Sequence, residues 1–397
     1  MRRHRGRVGL MVMALVGVLV NGASADIVTE RSASVLVFPK VVANGTRDTL
    51  IQITNTSNSM VHAHCFYVNA APTFSDRPPH PIDNPPLWQE IDFDIWLTKQ
   101  QPTYWRVSTG RQNNYVQGTD PQCSFNPLVL DCPDTGFDPG AVPPVVEDFI
   151  GELKCVETDQ TGAPISGNHL KGEATVITYD VCNPTTDPPS CTVSGTACST
   201  TCTDDFDSAK YNAVGILGNE FNNGDGVLCL GGTSNDVCPD PEYNGCPDTW
   251  ILNHFSWETA NPALTEDSAV RSSITVVPCT QNFELQNPLE DPGVVTLQLL
   301  TYNEFEQQLS ASAQLVCWED FDLPELGATQ FNVLFEGDTY RQTFIRSTAA
   351  SSGVIMVATE AHQVSEGGRI GTASFNVHHQ GTRPGQDIIT IPADQLQ

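Results

Sequence analysis

Apolar and polar residues alternate with a period of two along much of this chain. In "LIQITN", Ile51 and Ile53 face one way and Gln52 and Thr54 the other. In "VHAHCFYV", Val61, Ala63, Cys65 and Tyr67 share a face. Phe93, Ile95 and Leu97 alternate with Asp94 and Trp96, and Phe331, Val333 and Phe335 repeat the pattern in "FNVLF". Successive side chains of a strand point to opposite faces, so this spacing predicts strands with one buried face. The intervening stretches are rich in Pro, Gly, Asn and Asp, which interrupt strands. Helical periodicity is absent outside the N-terminal segment.

The strand-like segments recur in one order. "RSASVLVFP" (Arg31 to Pro39) is answered by "RSSITVVP" (Arg271 to Pro278). "LIQITN" is answered by "TLQLLTYN", "VHAHCFYV" by "SAQLVCWE", and "FDIWL" by "FNVLF". "YWRVST", "GELKCVE" and "KGEATVIT" are answered by "FIRST", "VIMVATE" and "IGTASFNV". The shared order predicts an internal duplication. Pro39 and Pro278 are expected to stop their strands, because proline has no N–H to donate. Several short strands per copy suit an immunoglobulin-like sandwich. The "FP" ending, the "QITN" stretch and a strand cysteine before an aromatic (Cys65–Phe66, Cys317–Trp318) carry a further resemblance. With these features the chain resembles secreted bacterial proteins built from tandem immunoglobulin-like β-sandwich domains. The resemblance implies an all-β fold of two such sandwiches, spanning 26–180 and 270–380, and brings no catalytic residues. Residues 381–397 are expected to form a flexible tail.

The copies differ in two places. A Pro/Gly/Asp-rich loop near 109–147 carries Cys123 and Cys132, close enough to pair locally. A cysteine-rich stretch, 181–269, joins the copies and holds Cys182, Cys191, Cys198, Cys202, Cys229, Cys238 and Cys246. It has too few apolar residues for its own core, so disulfides are expected to hold it. Its apolar end, "WILNHFSWE" (Trp250 to Glu258), is expected to dock on a sandwich and to cover Trp96.

The first residues change the cellular picture. A basic stretch, an apolar run from Val8 to Val20 and small residues at Ala23 and Ala25 form a secretory leader, with cleavage after Ala25. The mature protein is therefore expected to be secreted or periplasmic, with no membrane insertion after cleavage. The formal net charge is −28. Such a field repels phosphate backbones and anionic lipid, which argues against nucleic acid as a partner. A protein or glycan at the cell surface remains compatible.

Thirteen cysteines in an oxidising compartment should mostly pair. Cys65 with Cys155 and Cys279 with Cys317 are the expected pairs inside the copies. The odd count leaves one thiol, expected within 181–269.

Candidate chemistry is sparse. His62 and His64 lie two apart, so on a strand both face one way, as metal ligands would. The second copy has Gln314 and Val316 there, which favours a plain polar face. Oxygen-rich loops at "DDFDS" (Asp204, Asp205, Asp207) and "NEFNNGDG" suit calcium as a cofactor but miss the twelve-residue calcium-loop pattern. The acids of "WEDFD" and "VVEDF" are sequence neighbours, whereas glycosidases need carboxylates facing across a substrate. No G-x-S-x-G, H-E-x-x-H or phosphate-binding glycine loop occurs. The expectation is a non-enzymatic structural or interaction protein of the envelope or extracellular space. Loop-mediated binding of glycan or calcium is the first alternative, and a secreted hydrolase the second.

Overall fold

The computed structural model describes residues 27–74, 84, 86–112, 138–179, 182–183, 190–191, 206–219, 223–232, 238–257, 268–284, 294–332, 338–364 and 370–392. The leader, Cys123, Cys132, Cys198, Cys202, Asp204 and Asp205 lie outside them. The fold is all-β apart from two single-turn helices, Leu323–Leu326 and Ala328–Phe331. No helix of the described residues is long and apolar enough to cross a membrane.

Five sheets carry the architecture. The first has six strands in the order Ile27–Val28, Val214–Ile216, Val35–Ala43, Phe149–Thr158, Val61–Asn69 and Gln89–Leu97. The second orders Phe206–Asn212, Leu170–Tyr179, Arg47–Asn55 and Pro102–Arg106. The third is small: Val227–Leu230, Asp387–Thr390 and Gln281–Asn282. The fourth orders Gln308–Val316, Val294–Asn303, Tyr340–Ser347, Pro247–Phe255 and His378–Thr382. The fifth orders Glu319–Asp322, Ser268–Pro278, Val354–Val364 and Ile370–Asn376. A separate two-stranded ribbon sets Cys182 opposite Cys191.

These small sheets form a five-bladed, propeller-like arrangement, which overturns the expectation of two tandem immunoglobulin-like sandwiches. Three features show why the repeat in sequence misled. First, equivalent segments take different places. Val61–Asn69 sits inside the first sheet, paired on both sides and buried along its length. Its counterpart Gln308–Val316 is an edge strand of the fourth sheet and alternates exposed with half-buried positions. "FNVLF" does not begin as a strand, because Phe331 ends a helix. Second, the stretch 181–269 is no linker. It supplies strands to four of the five sheets, and "WILNHFSWE" provides an inner strand of the fourth, with Trp250 buried and donating to the Val354 carbonyl at 2.9 Å. Third, one apolar core crosses the halves, joining Val35, Phe66 and Val156 with Val276, Val295, Leu315 and Ile355. A second core lies between the first two sheets around Phe38, Ile51, Tyr67 and Trp105, whose indole donates to the Tyr67 hydroxyl at 2.5 Å. A strand buried on both faces reads as a near-continuous apolar run, as Val35–Ala43 does.

Other expectations change for local reasons. Pro39 does not stop its strand, which runs on to Ala43 through a register shift between Phe38 and Val41. A bulge accommodates a residue with no donor for the ladder. Residues 381–392 are not a free tail. Asp387–Thr390 pairs with two strands, and Arg383 holds the buried Asp387 at 3.1 Å. Where the 109–147 loop leaves the sheet, Gly110 has φ 63° and the Val142 carbonyl occupies the place a Cβ would take, so glycine is required.

Candidate functional site: a histidine–aspartate set and a buried lysine

Three disulfides are described: Cys65–Cys155, Cys229–Cys238 and Cys246–Cys279. They suit an extracellular or oxidising environment. Cys65 and Cys155 face each other across adjacent strands, with Cα atoms 4.0 Å apart. Cys279 bonds to Cys246 rather than to Cys317, which remains a buried thiol. Within 181–269, Cys229, Cys238 and Cys246 are disulfide-bonded among the described residues. Cys317 directly follows an edge strand of the fourth sheet, whereas Cys279 directly follows a strand of the fifth.

Strands Val61–Asn69 and Gln89–Leu97 pair so that His64 lies opposite Asp94 and His62 opposite Trp96. Both histidines are buried, at 5–7% exposure, so the expected exposed polar face is covered. The His62 ring stacks on Trp96 at 3.9 Å between centroids and 11° between planes. Trp96 is thus covered by its neighbouring strand, not by "WILNHFSWE". The His62 Nε2 lies 2.8 Å from Asp94 Oδ1, and its Nδ1 lies 2.7 Å from the Thr158 hydroxyl and 2.9 Å from the Asp159 carbonyl. The His64 Nδ1 lies 3.0 Å from Asp94, and its Nε2 lies 3.5 Å from Asp92.

The electrostatics follow from this geometry. Burial disfavours a charged His64, but hydrogen bonds and charge attraction from Asp92 and Asp94 outweigh it and raise its pKa to about 9. Burial likewise opposes ionised Asp94, yet the two histidines hold its carboxyl below the ordinary range. Asp92 is lowered chiefly by its interaction with His64, whose Nε2 lies 3.5 Å away. While it is protonated, His64 donates to both carboxylates and offers no lone pair to a metal or to a proton. Among the described residues, only Cys246, Cys279 and Asp387 bring three ligand-type atoms within 4.8 Å of one another, and both sulfurs there are bonded in a disulfide.

Asp207 lines a small cleft of about 70 Å³ beside Lys40 and Arg47, a cationic neighbourhood ill suited to calcium. In "NEFNNGDG", Asp225 accepts the Val227 N–H at 2.9 Å, which is turn chemistry. The "WEDFD" acids lie along one edge strand. Asp320 pairs with Lys40 at 2.9 Å, and burial together with Glu325 and Asp320 raises Glu319 to about 7.

Sequence reasoning missed a second polar set. Glu152 and Lys154, two apart on Phe149–Thr158, share a face turned toward the third sheet, and both are fully buried. The Lys154 Nζ donates to Glu152 Oε1 and Oε2 at 3.0 and 2.9 Å, and also to Gln281 Oε1. Gln281, 3% exposed, donates through Nε2 to Glu152 Oε1. Phe283, stacked on Phe66 at 4.5 Å, places its ring 6.0 Å from Nζ. Burial lowers the Lys154 pKa against the attraction of Glu152. The available signal was two opposite charges in "GELKCVE", a segment otherwise read as a buried strand.

No family model matches the chain, and no curated protein matches it. A solved structure titled Thermotoga maritima 1070 is 10% identical with TM-score 0.24, covering 35% of this chain and 98% of that one. A lectin from Pleurotus ostreatus, solved in complex with GalNAc, is 10% identical with TM-score 0.11, covering 94% of this chain and 90% of that one. At these scores neither likeness bears on this chain's fold or function.

Proposed function

We propose that the protein is an exported, disulfide-stapled structural or interaction protein of the cell envelope or extracellular space. The observation that carries this reading is His64 held between Asp92 and Asp94. The side chains best suited to metal or acid–base chemistry are turned on one another, and they brace two adjacent strands. The leader, the acidic surface and the disulfides support export and persistence outside the cytoplasm. The test has two arms. Fractionation of producing cells should place a form beginning at Asp26 in the periplasm or medium, and a cytoplasmic full-length form would overturn export. A broad hydrolase screen should give no turnover, and turnover abolished by Asp94→Asn would overturn the non-enzymatic reading.

A further inference from the structure

The Lys154, Glu152 and Gln281 set is arranged for a reaction as well as for packing. A primary amine touches the carbonyl oxygen of a carboxamide, and one carboxylate accepts hydrogen bonds from both. All three groups are buried, with aromatic rings alongside. We propose that Lys154 and Gln281 join in an intramolecular isopeptide bond, with Glu152 as the proton carrier.

The step balances without any further reagent. Glu152 takes a proton from the Lys154 ammonium and frees its lone pair. Nζ attacks Cδ of Gln281, the Nζ–Cδ bond forms, and the Cδ–Nε2 bond breaks. Of the three ammonium protons, one stays on the new amide. Two pass to Nε2, one by way of Glu152, which ends as a carboxylate, and ammonium leaves. No atom is oxidised or reduced.

Three physical factors favour this step. Contact at fixed geometry replaces a bimolecular encounter. Burial disfavours the ammonium form of Lys154, which exposes the nucleophile. A carboxylate within reach of both donor and leaving group can act as base and then as acid. The two residues are 127 positions apart, on the first and third sheets. The product would tie the halves by a link that reducing agents leave intact, unlike Cys246–Cys279.

Peptide mapping of the folded, full-length mature protein tests this. After reduction and denaturation, trypsin should leave the chain uncut at Lys154. A branched peptide joining the Lys154 and Gln281 segments should appear, lighter than their sum by one ammonia. Separate peptides with free Lys154 and intact Gln281 would overturn the proposal, and this result needs no variant. Glu152→Gln, with folding checked by circular dichroism, should lose the branched peptide. A complete cross-link in that variant would overturn the part given to Glu152.

Discussion

Trp318 donates its indole N–H to the carbonyl of Pro39, 2.7 Å away and 279 positions earlier in the chain. The strand irregularity at Pro39 and Lys40 makes this contact available, because it releases that carbonyl from the ladder. The same bulge sends the Lys40 side chain to Asp320, and the Lys40 carbonyl accepts the Tyr211 hydroxyl at 2.7 Å. One bulge thus engages side chains from two distant segments, Trp318 with Asp320 and Tyr211. Trp318→Phe keeps most of the ring but leaves the Pro39 carbonyl without this donor. We expect a loss of about 1–3 kcal/mol in urea unfolding. An unchanged midpoint would show that water replaces the indole.

The His64 clamp makes stability depend on pH in a defined direction. Its folded pKa of about 9 exceeds the ordinary 6.5. Its contribution is therefore full below pH 6.5 and disappears as pH rises through 9. Asp92 and Asp94 are lowered, so theirs is present above the ordinary carboxylate value of 3.8 and is lost as pH falls through their depressed range. NMR titration should place the His64 midpoint near 9, and Asp94→Asn should move it down. A midpoint near 6.5 in the wild type would refute the clamp.

Glu319 works the other way. Buried beside Asp320 and Glu325, its pKa is raised from 4.5 to about 7. The folded state then binds this proton more tightly than the unfolded state, so stability falls as pH rises from 4.5 to 7. Glu319→Gln should flatten that part of the stability curve. Above pH 7 it should exceed the wild type by on the order of 1 kcal/mol. Thermal melts at pH 5 and pH 8 read this directly.

The disulfides differ in reach. Cys65–Cys155 closes 90 positions and Cys229–Cys238 closes 9. Closing a longer loop restricts the unfolded chain more, in the chain-entropy account. Cys65→Ala with Cys155→Ala should cost about 2–5 kcal/mol, and the Cys229–Cys238 double variant less. Equal losses in chemical denaturation would point to strain or packing instead. Nonreducing peptide mapping should recover Cys246 with Cys279 and not Cys279 with Cys317.

The sequence by itself determined that this chain is all-β and where most of its strands lie. A two-residue period is a local property, written in runs such as "LIQITN" and set by the alternation of side chains along an extended backbone. The pairing of Cys65 with Cys155 was also legible, because both lie in apolar strand segments of the first half. Only the tertiary structure decided how the strands are assigned to sheets. Gln308–Val316 and Val61–Asn69 have similar patterns, but one is an edge and the other is interior. Periodicity says which face is apolar and does not say what covers it. The stretch 181–269 looked too polar to fold, yet its short apolar runs complete sheets whose cores other segments supply. The meeting of Lys154 with Gln281 and of Trp318 with Pro39 was equally invisible. Each joins groups more than a hundred residues apart, and no spacing along the chain encodes such a contact.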